Sequence, residues 1–158
     1  MSGFRPTISI RLGNRVVTPL IRAGLPMGPM ALLTVAGRNS GLPRTTPIAI
    51  LIDESGWRVA APYGVVDWVK NLRAAGRGVI SRRGRIVTVE AEELPDVEAA
   101  PVLRESFRQA GPITRRVIGT YFKVTPEAPL ADWVAEARDH PVFFLRPIDG
   151  DDPSRRLS

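Results

Sequence analysis

The sequence predicts an α+β fold, an antiparallel β-barrel of about six strands with helices packed against it. Three observations lead there. The strand-like stretches are short and alternate apolar with polar residues. The helical patterns are grouped rather than interleaved one-for-one with strands, which disfavours a parallel doubly wound sheet. The chain of 158 residues, 44% hydrophobic and 24% charged, has the size and composition of one packed domain.

The elements follow in order. Leu12, Val16, Val17, Leu20 and Ile21 fall at helical spacing, so residues 11–24 read as an amphipathic helix, with Pro19 kinking or restarting it. Its favoured role is packing on the barrel, ahead of peripheral contact with a membrane surface. Met30 to Ala36 is an apolar strand, followed by a polar Gly37–Pro43 turn and a second strand over Ile48–Ile52. After Ser55-Gly56, the alternation of Trp57, Val59 and Ala61 with Arg58 and Ala60 gives a third strand. Asp67 caps a helix running to Ala75 and closed near Gly76. Residues 78–83 and 85–94 form a hairpin turning at Arg83-Gly84, with Ile86, Thr88 and Glu90 on one face and Val87, Val89 and Ala91 on the other. Pro95-Asp96 opens a helix to about Ala110, whose apolar face gathers Val97, Ala100, Leu103, Arg104 and Phe107. Shorter helices are expected over 113–121 and 131–137, and a last strand over Pro141–Leu145. One domain is expected over residues 1–149, and 150–158 reads as a polar, frayed tail.

Composition narrows the function. Without cysteine, thiolate metal sites, disulfides and a cysteine nucleophile are excluded, and the single histidine, His140, cannot build a histidine metal cluster. No apolar run is long enough for a transmembrane helix and no secretory signal is legible, so a cytoplasmic protein is expected. The formal net charge is +6, and its distribution is uneven: residues 1–52 hold six arginines and no acid, Asp53 being the first. That asymmetry predicts an anionic partner for the first third of the chain, whether nucleic acid, an anionic lipid surface or a phosphorylated small molecule.

Two segments carry chemistry. In Gly37-Arg38-Asn39-Ser40-Gly41-Leu42-Pro43-Arg44-Thr45-Thr46-Pro47, glycines expose backbone N–H groups, two arginines supply guanidinium forks and three hydroxyls add donors. These are the parts of an anion nest, although a plain hairpin with solvated arginines fits the composition equally well. The segment is neither a P-loop nor a dinucleotide fingerprint. In Ala60-Ala61-Pro62-Tyr63-Gly64-Val65-Val66-Asp67-Trp68-Val69-Lys70-Asn71-Leu72, a strand passes through a Pro/Gly loop into a helix N-terminus. Free N–H groups at that positive end suit the electron-rich edge of a flavin-like ring. Trp68 reads more simply as core, and Asn71 as a cap or cross-link.

Taken together, Gly-Arg-x-Ser-Gly-x-x-Arg-x-x-Pro after an apolar strand, then a strand, a glycine loop and Trp-x-x-Asn-Leu, resemble the deazaflavin-dependent nitroreductase family of F-420-dependent oxidoreductases. The resemblance covers nearly the whole chain. It implies a split β-barrel of the FMN-binding type that binds coenzyme F-420, an 8-hydroxy-5-deazaflavin, and passes hydride from its reduced form to an enone, quinone or nitroaromatic. By the same match, the segment Arg38, Asn39, Ser40, Gly41, Arg44, Thr45, Thr46 and Pro47 would receive the phosphate and acidic tail, with Arg38, Ser40, Arg44 and Thr45 in contact. Ala61, Pro62, Tyr63, Gly64, Trp68, Asn71 and Leu72 would surround the ring. Tyr121 is the candidate proton donor or substrate contact and Tyr63 the second. Two departures from the family pattern are Asn39, where many members carry lysine, and a loop Pro62-Tyr63-Gly64 shorter than that of the best-known nitroreductases.

Other readings rank lower. FMN, FAD or haem on the same fold comes next. A basic barrel binding single-stranded nucleic acid expects aromatics interleaved with basic residues on its strands, but aromatics are only 6% here. His140 reads as a strand-entrance residue, and Trp133 with Phe107 and Phe122 as helix packing. Monomer and homodimer both remain open.

Overall fold

The structure, a computed structural model, describes residues 30–148. The expected helix over 11–24, its membrane contact, the N-terminal part of the basic third and the 150–158 tail lie outside the described residues. Six strands close into an antiparallel barrel: β1 (Met30–Ala36), β2 (Pro43–Asp53), β3 (Gly56–Ala60), β4 (Arg77–Arg82), β5 (Arg85–Glu93) and β6 (Val142–Pro147). Around the barrel the order is β1-β2-β3-β6-β5-β4. Four α-helices accompany it: α1 (Asp67–Ala75), α2 (Asp96–Gln109), α3 (Pro112–Ile118) and α4 (Leu130–Ala137), with a 3₁₀ turn at Gly119–Tyr121.

The long strand β2 changes partners along its length. Residues 43–49 pair with β1, Ala36 opposite Pro43 and Met30 opposite Ala49, whereas 50–53 pair with β3. This corrects the expectation of a turn through Pro43 and a strand beginning at Ile48. Prolines argued against a strand, because they cannot donate to a ladder. Pro43 and Pro47 are tolerated because, among the described residues, that half of β2 is hydrogen-bonded to β1 alone, so a missing N–H can face away from β1. The final strand likewise runs past Leu145 to Pro147.

Two apolar clusters share the work of stabilisation. Inside the barrel, Leu33, Val35, Ile50, Trp57, Val59, Val69, Leu72, Ile80, Val89, Phe143 and Leu145 pack together. Outside it, α2 and α4 enclose Ala99, Leu103, Phe107, Ile118 and Trp133 against Val142. Phe107, Phe122 and Trp133 meet at centroid distances of 5.5–6.0 Å, as expected for helix packing. Val97 is 66% exposed, so it does not belong to the buried face of α2, which is formed by Ala99, Ala100, Val102, Leu103 and Phe107. The Arg83-Gly84 turn has the two positive φ angles, 51° and 75°, of a tight hairpin. Gly56 is needed for a different reason: at φ +124° an added Cβ would lie 2.7 Å from the Phe144 ring.

Candidate functional site

The turn between β1 and β2 and the N-terminal end of α1 come together at one end of the barrel. The turn is built by its own backbone, with Gly37 N–H donating to Leu42 O and Gly41 N–H to Gly37 O, both at 2.8 Å. Ser40 Oγ accepts from Leu42 N–H at 3.2 Å. Gly41 adopts φ +69° with open space where a side chain would begin, so the turn presents bare backbone outward.

Arg38 joins the two motif segments across 33 residues of sequence. Asn71 Oδ1 accepts from Arg38 backbone N–H at 3.1 Å and from Nη1 at 2.9 Å, while Nη2 donates to Asp67 Oδ1 at 3.2 Å. Asn71 is 5% exposed, so this is a buried fixing point and the cross-link reading of Asn71 holds. Asp67, expected as the cap of α1, instead occupies its first turn; Val66 stands at the cap position, and no side chain caps the helix. The carboxylate turns to Arg38 because a guanidinium offers a charge-assisted partner. Val69 N–H donates to Val66 O at 3.1 Å, and no side chain caps the turn before it.

Arg44 and Thr45 are exposed at the start of β2, and Arg44 forms no ion pair among the described residues. Thr45 Oγ1 shares a 2.8 Å hydrogen bond with Thr34 Oγ1 on β1, a partner that sequence reading did not single out. Asn39 is exposed on the turn, and Thr46 and Pro47 are half-buried further along the strand. Trp68 leans on the barrel core with its ring 6.1 Å from Phe143, and Leu72 is fully buried in that core. Both therefore set the position of α1.

Loop 61–64 is held from several sides. Ala61 N–H donates to Pro141 O at 2.9 Å, and Gly64 N–H donates back to Ala61 O at 3.1 Å, closing a turn over Pro62 and Tyr63. Gly64 takes φ +85°. Tyr63 meets Tyr121 edge-to-face, centroids 5.1 Å apart at 81°, which brings the two tyrosines singled out from sequence into one pair. Burial, reinforced by the neighbouring Tyr121, raises the Tyr63 phenol above its ordinary 10.0, so it holds its proton.

Sequence reasoning missed how this pair is fastened. His140, 4% exposed, places Nδ1 3.1 Å from Ala61 O and Nε2 3.0 Å from Tyr121 O. The i,i+4 spacing of Glu136 and His140 was the available signal, and their closest atoms are 3.4 Å apart.

The other end of the barrel holds a cavity of about 560 Å³ between the barrel and α2, lined by Arg58, Arg82 and Arg83 but also by Asp53, Glu98 and Glu105. Arg58 is paired with Asp53 there. Among the described residues no group of histidine, aspartate and glutamate could hold a metal ion, and no helix is long and apolar enough to cross a membrane.

A phosphorylated, carboxylated deazaflavin fits the first end on the chemistry of its donors: an exposed guanidinium at Arg44, hydroxyls at Ser40 and Thr45, an open glycine turn and an uncapped helix start. Comparison with known proteins bears on the cofactor class and the fold. Residues 11–124 match the family model described as F420H(2)-dependent quinone reductase. Among solved structures, an F420-H2 dependent reductase is similar at 18% identity and TM-score 0.50, covering 75% of this chain and 94% of its own. A protein described as a domain-swapped dimer is similar at 18% identity and TM-score 0.51, with 84% and 92% covered. These structural likenesses support the split-barrel fold, and the family match supplies the activity. The chain belongs to the F420H2-dependent quinone reductase family and is an F-420-dependent oxidoreductase.

Proposed function

We propose that this chain binds reduced coenzyme F-420 along the face formed by the 37–47 turn, loop 61–64 and the start of α1, and reduces a quinone-class acceptor there. The observation that carries the reading is the Arg38–Asn71–Asp67 junction, which fixes an anion-binding turn beside an uncapped helix N-terminus. Arg44, Ser40 and Thr45 would hold the phosphate and acidic tail, with Arg38 serving as the brace that positions them. The turn over Pro62 and Tyr63, closed by Gly64 N–H on Ala61 O, and the first turn of α1 would face the carbonyl edge of the ring. Trp68 and Leu72 act from behind by anchoring α1 to the core.

When bound, the reduced cofactor supplies a hydride from its C5 position. The protein contributes orientation, exclusion of water and a proton. Reducing a quinone to a hydroquinone takes one hydride and one proton, so an acid must stand beside the acceptor. The Tyr63–Tyr121 pair is suited to that role by its place, two phenols with their rings in edge-to-face contact beside the cofactor loop. Tyr121, on the turn after α3, is the leading donor, and Tyr63 on the cofactor loop is the second.

The test is to offer the purified protein reduced F-420 with a panel of quinones, enones and nitroaromatics, following recovery of the oxidised cofactor's absorbance. Turnover fastest with quinones, and lowered more than F-420 affinity in Tyr121→Phe, supports the proposal. Turnover confined to nitroaromatics would overturn the acceptor class, and unchanged turnover in both Tyr121→Phe and Tyr63→Phe would overturn the proton role.

A further inference from the structure

The structure assigns His140 a positioning role: as a buried, doubly protonated imidazolium paired with Glu136, it clamps the loop carrying Tyr63 to the turn carrying Tyr121. The inference rests on the proposal that these tyrosines flank the reaction, but its central feature, the protonation of the ring, does not depend on it.

The hydrogen-bond inventory leads to this state. Nδ1 lies 3.1 Å from Ala61 O and Nε2 3.0 Å from Tyr121 O. Both are main-chain carbonyl oxygens, which accept and cannot donate. A neutral imidazole has one N–H and one lone pair, so one of the two nitrogens would press its lone pair against a carbonyl oxygen. Reorienting Ala61 O is not an easy escape, since that oxygen already accepts the Gly64 N–H that closes the loop. Two donors satisfy both contacts, and they exist only in the imidazolium.

A buried cation requires a counter-ion, and one is present. Glu136, 5% exposed, places Oε2 3.4 Å from Nε2. Its other oxygen, Oε1, accepts the Lys123 backbone N–H at 3.1 Å, so the carboxylate is itself held in place. Lys123 Nζ and Asp139 Oδ2 stand 3.9 Å apart in an exposed pair on the adjoining segments. Phe122 stacks on the imidazole, centroids 4.1 Å apart and planes 20° from parallel, as an aromatic face does with a cation.

The clamp joins three segments distant in sequence: loop 61–64, turn 119–121 and the end of α4. It thereby ties together the main chain that carries Tyr63 and Tyr121, whose rings meet at 5.1 Å. Because misplacement by about 1 Å at a reacting group costs up to about a hundredfold in rate, such a clamp bears on turnover.

His140 is the only histidine in the chain, so ¹⁵N imidazole NMR reports on it without ambiguity. Spectra of the wild-type protein without cofactor at neutral pH are expected to show both ring nitrogens protonated; a single protonated nitrogen would overturn the inference. Glu136→Gln keeps an acceptor for Lys123 N–H but removes the counter-charge. It is expected to take one proton from the ring and to lower kcat about tenfold, while F-420 affinity stays within about threefold. Unchanged kcat in a folded Glu136→Gln protein, or a fall in kcat with the ring still doubly protonated, would overturn the positioning role. The tyrosine reading fails separately, through unchanged turnover of the Tyr63→Phe and Tyr121→Phe variants.

Discussion

Both ends of the barrel carry arginines, yet they are built for different purposes. At the end formed by the β2–β3 and β4–β5 turns, Arg58, Arg82 and Arg83 line a cavity together with Asp53, Glu98 and Glu105. Arg58 is paired with Asp53 there, and burial with the neighbouring Arg83 pulls the Arg82 guanidinium below its ordinary range. At the end formed by the β1–β2 turn, segment 37–47 has two arginines and no acid of its own. Asp67 and Asn71 reach over to Arg38 and spend its donors on architecture, while Arg44 stays exposed beside an open glycine turn. The contrast lies in the acids each end brings: three share the cavity with Arg58, Arg82 and Arg83, whereas segment 37–47 has none and Arg44 forms no ion pair among the described residues.

The comparison can be broken most forcefully at Asn71. Asn71→Ala removes the acceptor of two Arg38 donors at a buried site, which is expected to cost about 1–3 kcal/mol of stability and to weaken F-420 binding as the turn loosens. Thermal melts with fluorescence titration check both; unchanged affinity would mean that the brace does not position the turn. Arg44→Ala is expected to weaken F-420 at least about tenfold, roughly 1.4 kcal/mol, whereas Arg83→Ala at the opposite end leaves affinity unchanged. Equal losses from the two substitutions would show that only the overall positive field matters.

A smaller effect sharpens the same contrast. Asp67 is 84% exposed, so its pairing with Arg38 is largely screened by water. Asp67→Asn is therefore expected to tighten F-420 binding by no more than about threefold, by removing a competing anion from the helix start. Loss of binding instead would assign the carboxylate a direct part in holding the turn.

The smallest effect concerns pH. Burial raises the Tyr63 phenol above its value in the unfolded chain, so the native state holds that proton more tightly. The associated stability is present in full below the unfolded value of 10.0 and is lost as pH rises from there through the folded value. Denaturant midpoints measured between pH 9 and 11 should fall more steeply in the wild type than in Tyr63→Phe; parallel curves would contradict the assignment.

Local rules made much of this molecule legible in sequence. The helix Asp67–Ala75 and its end at Gly76 were readable because a left-handed glycine terminates a helix, and Gly76 has φ 68°. The Arg83-Gly84 hairpin was readable for the same kind of reason. The strand through Pro43–Pro47 was not, since a proline is tolerated according to which side of a strand lacks a partner, and that is decided by topology. The two motif segments and the two tyrosines of the candidate site stand out in the sequence one by one, while the contacts that bring them together do not. The Arg38–Asn71 junction spans 33 residues, and the contact of His140 with Ala61 spans 79. Such long-range pairs are chosen by the closed barrel, which also turned Asp67 from an expected cap into an ion-pair partner.

The central claim is that the turn rich in glycine and arginine grips the anionic arm of the cofactor, leaving the ring to loop 61–64 and α1. The most direct measurement compares binding of F-420 with that of its ring fragment lacking the phosphate and glutamate arm, in the wild-type protein and in Arg44→Ala. The account predicts at least about a tenfold loss for intact F-420 on substitution and no change for the fragment. Equal losses for both ligands, or none for either, would contradict it.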